Sequence, residues 1–332
     1  MIGKSYIKKI KHGGFRSFIK KAVELGVDVK IFLNEPLLLK LEHKEKFIFT
    51  RKGQLPIQRR MGNFTTNKQF TKFLLENIGI RAPKGILAKN YAEALPLIKK
   101  ANLSYPLITK PLDGSLARGV SWNIKNLKEL KKAVSFFEKT KSSKKSRFLV
   151  EEMYIGDEFR ILVFNGEFIS CVKKVPATIV GDGKATIKEL VKAFDKTRAK
   201  GFEIKLDKVA KKTIALHNAK LDSILPVNYI LKLRNNLNMS DGGRSIECTK
   251  KISEHLKKIC VQAINAVGLT YGGIDLMTKN LATKKDDYVI LEINPNPFYN
   301  MHEKPLVEGT GVDVSKIILQ DLFPNLFAKN KS

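Results

Sequence analysis

Three oxygen-bearing side chains near the C-terminal end of the chain have the types and spacing that suit a magnesium ion. Glu292 and Asn294 lie two residues apart in the segment 288–301, YVILEINPNPFYNM. Because side chains i and i+2 of a strand point to the same side, both oxygens face one place. A neighbouring strand is predicted over 273–277, GIDLM, and adds Asp275. Mg²⁺ takes such hard oxygen ligands and often shares them with phosphates, although a strand end with chance polar residues is an equally open interpretation.

The elements that must position these residues are predicted as a mixture of helices and strands. Helical spacing predicts helices over 18–25, 68–77, 91–101, 126–139, 207–218, 253–267 and 314–322. Alternation predicts strands over 27–33, 37–41, 47–50, 55–57, 106–111, 148–154, 158–164, 168–174, 229–234, 273–277 and 289–291. Asn165-Gly166 predicts a hairpin turn, and Thr186 with Glu189 has the spacing of a capping box. The fold class is therefore α/β.

Composition limits the class of protein further. The chain has 332 residues, enough for two or three packed units at about 100–200 residues each. Its hydrophobic fraction of 43% is ordinary for a globular protein, and no apolar run approaches the roughly 18–20 residues that span a bilayer. The basic N-terminal stretch lacks the apolar region of a secretory signal. Cys171, Cys248 and Cys260 are too widely spaced for a zinc site or a disulfide framework, so we expect a reduced, cytoplasmic protein without membrane contact.

The net charge of +29 is the most unusual feature of the composition. Residues 99–150 alone contain 13 Lys or Arg against 3 Asp or Glu. Only 11 of the 61 basic residues are arginines, the residue favoured for bidentate contacts to phosphate. No zinc-finger, basic-zipper or aromatic RNA-binding signature accompanies the charge. A basic surface attracts polyanions whatever its origin, but we do not expect nucleic acid as a partner.

Four groups of residues call for a single explanation. They are the oxygen ligands described above, Lys110 before the glycine-containing loop 113–120, the Glu-rich strand end 151–158, and the polar loop 234–243. ATP with Mg²⁺ requires cations and backbone donors for phosphates, carboxylates for the nucleoside, and a metal cage. The loop 113–120, DGSLARGV, is a weak signal by itself, because a plain hairpin has the same features.

The order and spacing of these groups resemble the ATP-grasp superfamily over residues 68–324. The segment 179–191, IVGDGKATIKELV, matches the pattern VVGDGK-TI-ELV, and 234–243, RNNLNMSDGG, matches R-R-N-x-N-x-S-x-G-G. The segment 292–302, EINPNPFYNMH, matches E-x-N-x-x-P followed by M-H. Within the superfamily, the chain is similar to amide-forming ligases such as glutathione synthetase, including its bifunctional type, and the ATP-grasp domain of cyanophycin synthetase.

The resemblance implies a fold and a domain organisation. Two α/β subdomains would grip ATP between antiparallel sheets, after a short N-terminal α/β segment. The N-terminal segment would cover residues 1–63 and the ATP-grasp domain residues 64–328. Within that domain, a lid-like subdomain would cover about 81–150 and a C-terminal subdomain about 151–328.

The resemblance also implies a role for each matching residue. The ATP-binding residues would be Lys68, Lys110, Ser115, Glu151, Glu152, Met153, Tyr154 and Glu158. The lysines would contact phosphates, Glu151 the adenine amino group and Glu158 the ribose, with backbone groups of Met153 or Tyr154 at the hinge. Asp275, Glu292 and Asn294 would hold Mg²⁺, as two ions with Mn²⁺ as an alternative. Arg234 and Asn236 would steady the reacting groups, and the substrate contacts would be Arg160, Gly242, Gly243 and His302.

The implied activity is ATP-dependent ligation of a carboxylate to an amine through an acyl-phosphate, with amino acids or peptides as substrates. An acidic peptide or carrier protein is an open alternative substrate, because the chain is so basic. A homodimer is one open state, since dimers are common among similar ligases.

One departure from the family pattern bears on activity. The paired arginines of the family are Arg234 and Asn235 here, and loss of one donor to a transition-state anion costs about 10²–10³ in rate. Lys232 or Arg244 could substitute for the missing charge. The alternative function is therefore a catalytically impaired nucleotide- or polyanion-binding module.

Overall fold

A computed structural model describes residues 2, 4–10, 13–33, 38–44, 46–51, 67–112, 119–140, 146–196, 198, 201–304 and 308–326. Its helices are α1 Lys4–Lys9, α2 Gly13–Glu24, α3 Lys68–Asn77, α4 Tyr91–Lys100, α5 Leu127–Thr140, α6 Ile187–Asp195, α7 Lys208–Leu216, α8 Glu254–Ala266, α9 Asn300–Glu303 and α10 Val314–Leu322. Its strands are β1 Asp28–Leu33, β2 Leu38–His43, β3 Lys46–Arg51, β4 Gly85–Ala88, β5 Leu107–Pro111, β6 Ser121–Ile124, β7 Phe148–Glu152, β8 Asp157–Phe164, β9 Glu167–Val175, β10 Thr178–Val180, β11 Ile230–Lys232, β12 Arg244–Glu247, β13 Tyr271–Thr278 and β14 Tyr288–Asn294. The expected strand 55–57 and the loop residues 113–118, with Ser115, lie outside this description.

A five-stranded antiparallel sheet in the order β12-β9-β8-β13-β14 lies at the centre of the chain. Strands β8 and β9 form the hairpin predicted from Asn165-Gly166, and both residues have the positive φ angles, 50° and 75°, that this turn needs. The hairpin prediction is confirmed. Strand β13 pairs with β8 on one side and β14 on the other, which places the two predicted metal-binding strands next to each other.

The two faces of the central sheet bury different parts of the chain. Alternation along β8 points Ile161 and Val163 to one face and Leu162 and Phe164 to the other. The first pair packs in a core with residues of α3 and α8. The second pair packs against the leading segment of the chain and α10.

The leading segment is a small α/β layer on that second face. Strands β1, β2 and β3 form an antiparallel sheet, and α2 buries Phe15, Phe18 and Ile19 beside it. The phenol of Tyr299 donates a hydrogen bond to the carbonyl of Gly14. This layer therefore contacts the segment that follows β14, the strand of the predicted metal ligands Glu292 and Asn294.

A second antiparallel sheet, β4-β7-β5-β6, lies within residues 85–152. Helices α4 and α5 cover it with Ala94, Ile98, Leu130 and Phe137.

None of the helices in the described part of the chain combines the length and the apolar character that a membrane span needs.

Residues 177–233 form a smaller unit around the two-stranded sheet β10-β11. Thr186 and Glu189 form the predicted capping box at the start of α6, because each side chain accepts from the other residue's backbone N–H. The capping-box prediction is confirmed. Only glycine fits at position 181, since a Cβ there would lie 2.2 Å from the carbonyl oxygen of Pro226. The GDGK motif, residues 181–184, therefore lies in a tight segment just before α6.

Candidate nucleotide and metal site

One half of the second face of the central sheet is charged. Arg160 on β8 lies opposite Asp275 on β13, and its guanidinium binds both carboxylate oxygens, at 2.5 Å from Nε and 3.1 Å from Nη2. Lys174 on β9 lies 3.6 Å from the same carboxylate and also contacts Glu158. The same face carries Leu162 and Phe164 further along β8, so the sheet face passes from charged to apolar within a few residues.

The two carboxylates of this cluster have opposite pKa shifts. Burial raises the pKa of Asp275, but the charges of Arg160 and Lys174 outweigh it and hold that pKa well below its ordinary value. Burial also raises the pKa of Glu158, and Lys174 only partly offsets it, so the pKa of Glu158 stays above its ordinary value. Asp275 is therefore ionised at neutral pH, as a carboxylate must be to bind a metal.

Strand register brings the three predicted metal ligands to this same edge. Asp275 pairs with Glu292, and Gly273 pairs with Asn294. The amide of Asn294 donates to Glu292 Oε1 at 3.1 Å. Among the described residues there is no cluster of three or more His, Cys, Asp or Glu side chains that could hold a metal. Two carboxylates and an amide fit Mg²⁺ better than a transition metal, because Mg²⁺ completes its shell with waters and phosphates.

The predicted phosphate-binding lysines both pair with carboxylates. Lys110 Nζ lies 2.6 Å from Glu151 Oε2 on the neighbouring strand β7, and Lys68 Nζ lies 4.0 Å from Glu292 Oε2 on β14. Helix α3, strand β7 and strand β14 enclose a narrow cleft of about 10 Å³. Lys68, Glu151 and Glu292 line this cleft together.

Lys72 belongs to the same cleft and was not predicted. It follows Lys68 by one helical turn and is 7% exposed, with Nζ 3.9 Å from Glu151 Oε1. Burial lowers its pKa more than Glu151 raises it, and Nζ has no hydrogen-bond partner among the described residues. The i, i+4 spacing in the sequence could have revealed it, because such residues share one helix face.

The predicted hinge residues are engaged in the second sheet. Glu152 accepts a hydrogen bond from the backbone of Ser104 at 2.8 Å, and the N–H of Met153 donates to the carbonyl of Pro106 at 2.9 Å. The hydroxyl of Tyr154 donates to Asp287 at 2.5 Å. Burial and that carboxylate raise the pKa of Tyr154 to about 12. The N–H groups of Glu152 and Met153 are therefore both bonded within the protein, to the carbonyls of Lys84 and Pro106.

The loop 234–243 does not extend its arginine into the charged cluster. Arg234 is buried, and one guanidinium nitrogen lies 2.7 Å from Asp207 and 2.8 Å from the carbonyl of Lys205. Its partner Asp207 is the N-cap of α7. Arg234 thus ties the loop to the start of a helix.

The other predicted residues of the loop bind one another. Asn236 Nδ2 donates to Asp241 at 3.3 Å. Gly242 has a φ of 94°, which favours glycine, and a Cβ on Gly243 would lie 2.6 Å from the carbonyl oxygen of Asn238. Both glycines are required by the tight turn itself. Of the candidate substitutes for the missing arginine, Lys232 is exposed, while Arg244 donates to Thr178 and stacks over Phe194.

His302, predicted as a substrate contact, is fully buried. Its Nδ1 lies 2.7 Å from the hydroxyl of Ser170. Burial, together with the nearby charge of Arg160, lowers the pKa of His302 to about 3. The ring is therefore a neutral side chain that packs beside the charged half of the sheet.

Comparison with known proteins identifies the fold and its relatives. A family described as the RimK-like ATP-grasp domain matches residues 231–322. The solved structure of a bifunctional glutathione synthetase from Pasteurella multocida superposes on 97% of this chain and 44% of its own, with a TM-score of 0.74 at 22% identity. The chain therefore has the ATP-grasp fold, as predicted.

Two relatives show which ATP-grasp ligases the chain resembles. A cyanophycin synthetase from Crocosphaera subtropica is 32% identical over 267 residues, 78% of this chain and 30% of the relative. A glutathione biosynthesis bifunctional protein from Enterococcus faecalis is 28% identical over 330 residues, 93% of this chain and 42% of the relative. The predicted resemblance to these ligases is confirmed, and the chain spans less than half the length of each.

Proposed function

We propose that this chain catalyses the ATP- and Mg²⁺-dependent joining of a carboxylate to an amine, with ADP and phosphate as products. The observation that carries the proposal is the convergence of Lys68, Lys72, Glu151 and Glu292 around one cleft. Asp275 lies opposite Glu292 in the strand register. Cations for phosphates and hard oxygens for a metal are thereby held on rigid elements. The fold and the ligase relatives support the same reaction class, with amino acids or peptides as substrates.

The reaction needs positioning and charge rather than an enzyme nucleophile. A substrate carboxylate oxygen attacks the γ-phosphorus of ATP, the bond to the β–γ bridging oxygen breaks, and ADP leaves. The amine nitrogen then attacks the carbonyl carbon of the acyl-phosphate, phosphate leaves, and the nitrogen loses a proton. Lys68, Lys72 and Lys110 stabilise the phosphate charge in the first step, since fixed cations in a water-poor site need no reorganisation.

Arg160 is the cation best placed for the acyl group. Arg160 belongs to β8, and its guanidinium binds Asp275 on the neighbouring strand β13. It is therefore the positive group nearest to the predicted metal ligands. Asp275, Glu292 and Asn294 would hold Mg²⁺, which when bound screens the β- and γ-phosphate oxygens. Two ions, and Mn²⁺ as a substitute, are part of this proposal, as are the lid-like subdomain of about 81–150 and the hinge at Met153 and Tyr154.

The burial of Arg234 favours a second candidate function. The family's paired arginines are reduced to one in the sequence, and that one binds Asp207. A module that binds nucleotide but does not ligate would be consistent with both facts. Under this alternative the charged cleft still binds ATP.

A single set of assays separates the two functions. Purified protein is incubated with ATP, Mg²⁺ and amino acids in pairs, and phosphate release is measured together with mass spectrometry of the products. A new amide product, absent without Mg²⁺, is the expected result. Nucleotide binding without any product over the whole panel would favour the binding module, and absence of nucleotide binding would overturn both.

A further inference from the structure

A second, much larger cavity lies outside the charged cleft. Its volume is about 480 Å³, within the range of about 300–1,000 Å³ that small-molecule sites occupy. Helices α1 and α2 form one wall, and the segment after β14 forms the other, with Met239 and Phe202 closing it. The two aromatic rings of Phe202 and Phe298 stack at 5.3 Å between centroids. The lining is therefore mainly apolar.

The wall of this cavity is continuous with the metal-binding strand. The chain leaves β14 at Asn294, and Pro297 packs on Gly273 beside Arg160, where a Cβ on the glycine would lie 2.5 Å from the proline and 3.1 Å from the arginine side chain. The next residue, Phe298, already lines the cavity. A molecule in the cavity thus lies against the same segment that borders the charged cluster.

The rim of the cavity is cationic. Four of the lining residues are basic and one is acidic; they are Lys8, Arg16, Lys20, Lys304 and Glu24. Lys20 lies 3.5 Å from Glu24, and the Arg16 guanidinium donates to the carbonyl of Ile10. Lys8 and Lys304 are exposed, and neither has an ion-pair partner among the described residues. The uncompensated charge favours an anionic molecule.

We propose that this cavity is the binding site for one substrate of the ligation, an amino acid or short peptide with an apolar side chain and a free carboxylate. The inference rests on the proposed function for the identity of the reaction, and on the cavity for the class of substrate. The apolar lining selects the side chain, the cationic rim selects the carboxylate, and the leading segment thereby determines specificity.

The test compares two dipeptides of similar size, leucyl-leucine and glutaminyl-glutamine, by isothermal titration calorimetry on the full chain. Leucyl-leucine is expected to bind at least about tenfold more tightly, since a few buried methyl-sized groups contribute that much. Equal or tighter binding of glutaminyl-glutamine overturns the inference. Binding of leucyl-leucine without any ligation product would support the cavity as a binding site and contradict the proposed ligase activity. The failure of one proposal can therefore be distinguished from the failure of the other.

Neighbouring lysines of α1 provide a matched control for the rim. Lys8 lines the cavity and Lys9 does not, while both are exposed and change the net charge equally when replaced. Lys8→Glu is expected to weaken leucyl-leucine binding about three- to fivefold, the range of exposed charge pairs, and Lys9→Glu to leave it unchanged. Equal effects of the two variants contradict a specific rim contact.

A third variant tests the apolar lining. Phe298→Ala removes one ring of the stack with Phe202 and is expected to weaken leucyl-leucine binding about tenfold while ADP binding is retained. Retained ADP binding and an unchanged melting temperature show that the variant is folded. Undiminished dipeptide affinity in such a folded variant overturns the inference.

Discussion

The charged half of the central sheet and the loop 234–243 contain similar numbers of predicted site residues. Those residues make different kinds of contact in the two regions. On the sheet, Arg160, Asp275 and Glu292 are brought together by strand register. In the loop, Arg234 binds Asp207 and Asn236 binds Asp241, and both partners are close by along the chain. The first set forms a cluster between distant parts of the sequence, and the second stabilises local structure.

The difference follows from backbone geometry. A strand fixes the direction of every second side chain, and its antiparallel neighbour fixes the partner opposite. A polar loop has no such constraint, and its Asn and Asp side chains bind nearby backbone and side-chain groups. Motif residues on strands are therefore safer candidates for chemistry than motif residues in loops.

The largest expected loss of stability is at the buried pair Lys110 and Glu151. Lys110→Met leaves the Glu151 carboxylate with only Lys72, at 3.9 Å, and we expect the free energy of unfolding to fall by about 3–5 kcal/mol. The double variant Lys110→Met with Glu151→Leu should recover most of that loss, because the unpaired charge is gone. Urea unfolding measures stability, and ADP titration should show weak binding in both variants. Normal ADP affinity in the double variant would exclude the pair from the nucleotide site.

A smaller effect is expected at Arg234. Arg234→Ala removes the contacts to Asp207 and Lys205, and we expect a loss of about 1.5–3 kcal/mol. Asp207→Asn weakens the same pair from the other side and keeps the N-cap oxygen of α7. If Arg234 only supports the fold, both variants lose stability but retain ligation per folded molecule. A rate loss of about 10²–10³ in Arg234→Ala, with no such loss in Asp207→Asn, would instead show a catalytic role for the loop. The loop and the sheet would then both contribute to catalysis.

His302 gives a pH-dependent test of the charged half. Its pKa is about 3 when folded, against 6.5 for an unperturbed histidine, so the unfolded state binds a proton first as the pH falls. The contribution to stability is complete above pH 6.5 and is lost between 6.5 and 3, by at most about 1.4 kcal/mol per pH unit. His302→Asn should remove this slope in chemical unfolding measured at several pH values. An identical slope in the variant would show that other groups cause it.

The smallest change in stability is expected at Lys72. Burial lowers its pKa, so replacing it with an apolar side chain removes a desolvation cost. We expect Lys72→Met to leave the free energy of unfolding unchanged or raise it by about 1 kcal/mol, while ATP affinity falls about tenfold through loss of one phosphate contact. Unchanged ATP affinity would show that Lys72 does not contact the phosphates. The phosphate-binding lysines would then be the two predicted from the sequence, Lys68 and Lys110.

Much of the secondary structure was predictable because it rests on local signals. The hairpin at Asn165-Gly166 and the capping box at Thr186 are encoded within a few residues. The short elements α1, β4 and β12 were not predicted, because each has too few residues to show a period. Tertiary pairing stabilises β12, which lies along β9 at the edge of the central sheet.

Alternation and order along the chain were enough to predict the charged edge, because they already place Asp275, Glu292 and Asn294 on two neighbouring strands. Three further features depend on tertiary packing. Lys72 joins the cleft because α3 packs over the sheet, and Arg234 is withdrawn because Asp207 caps the helix beside it. The large cavity exists because α1 and α2 pack against the segment after β14, a contact between opposite ends of the chain that no local pattern encodes.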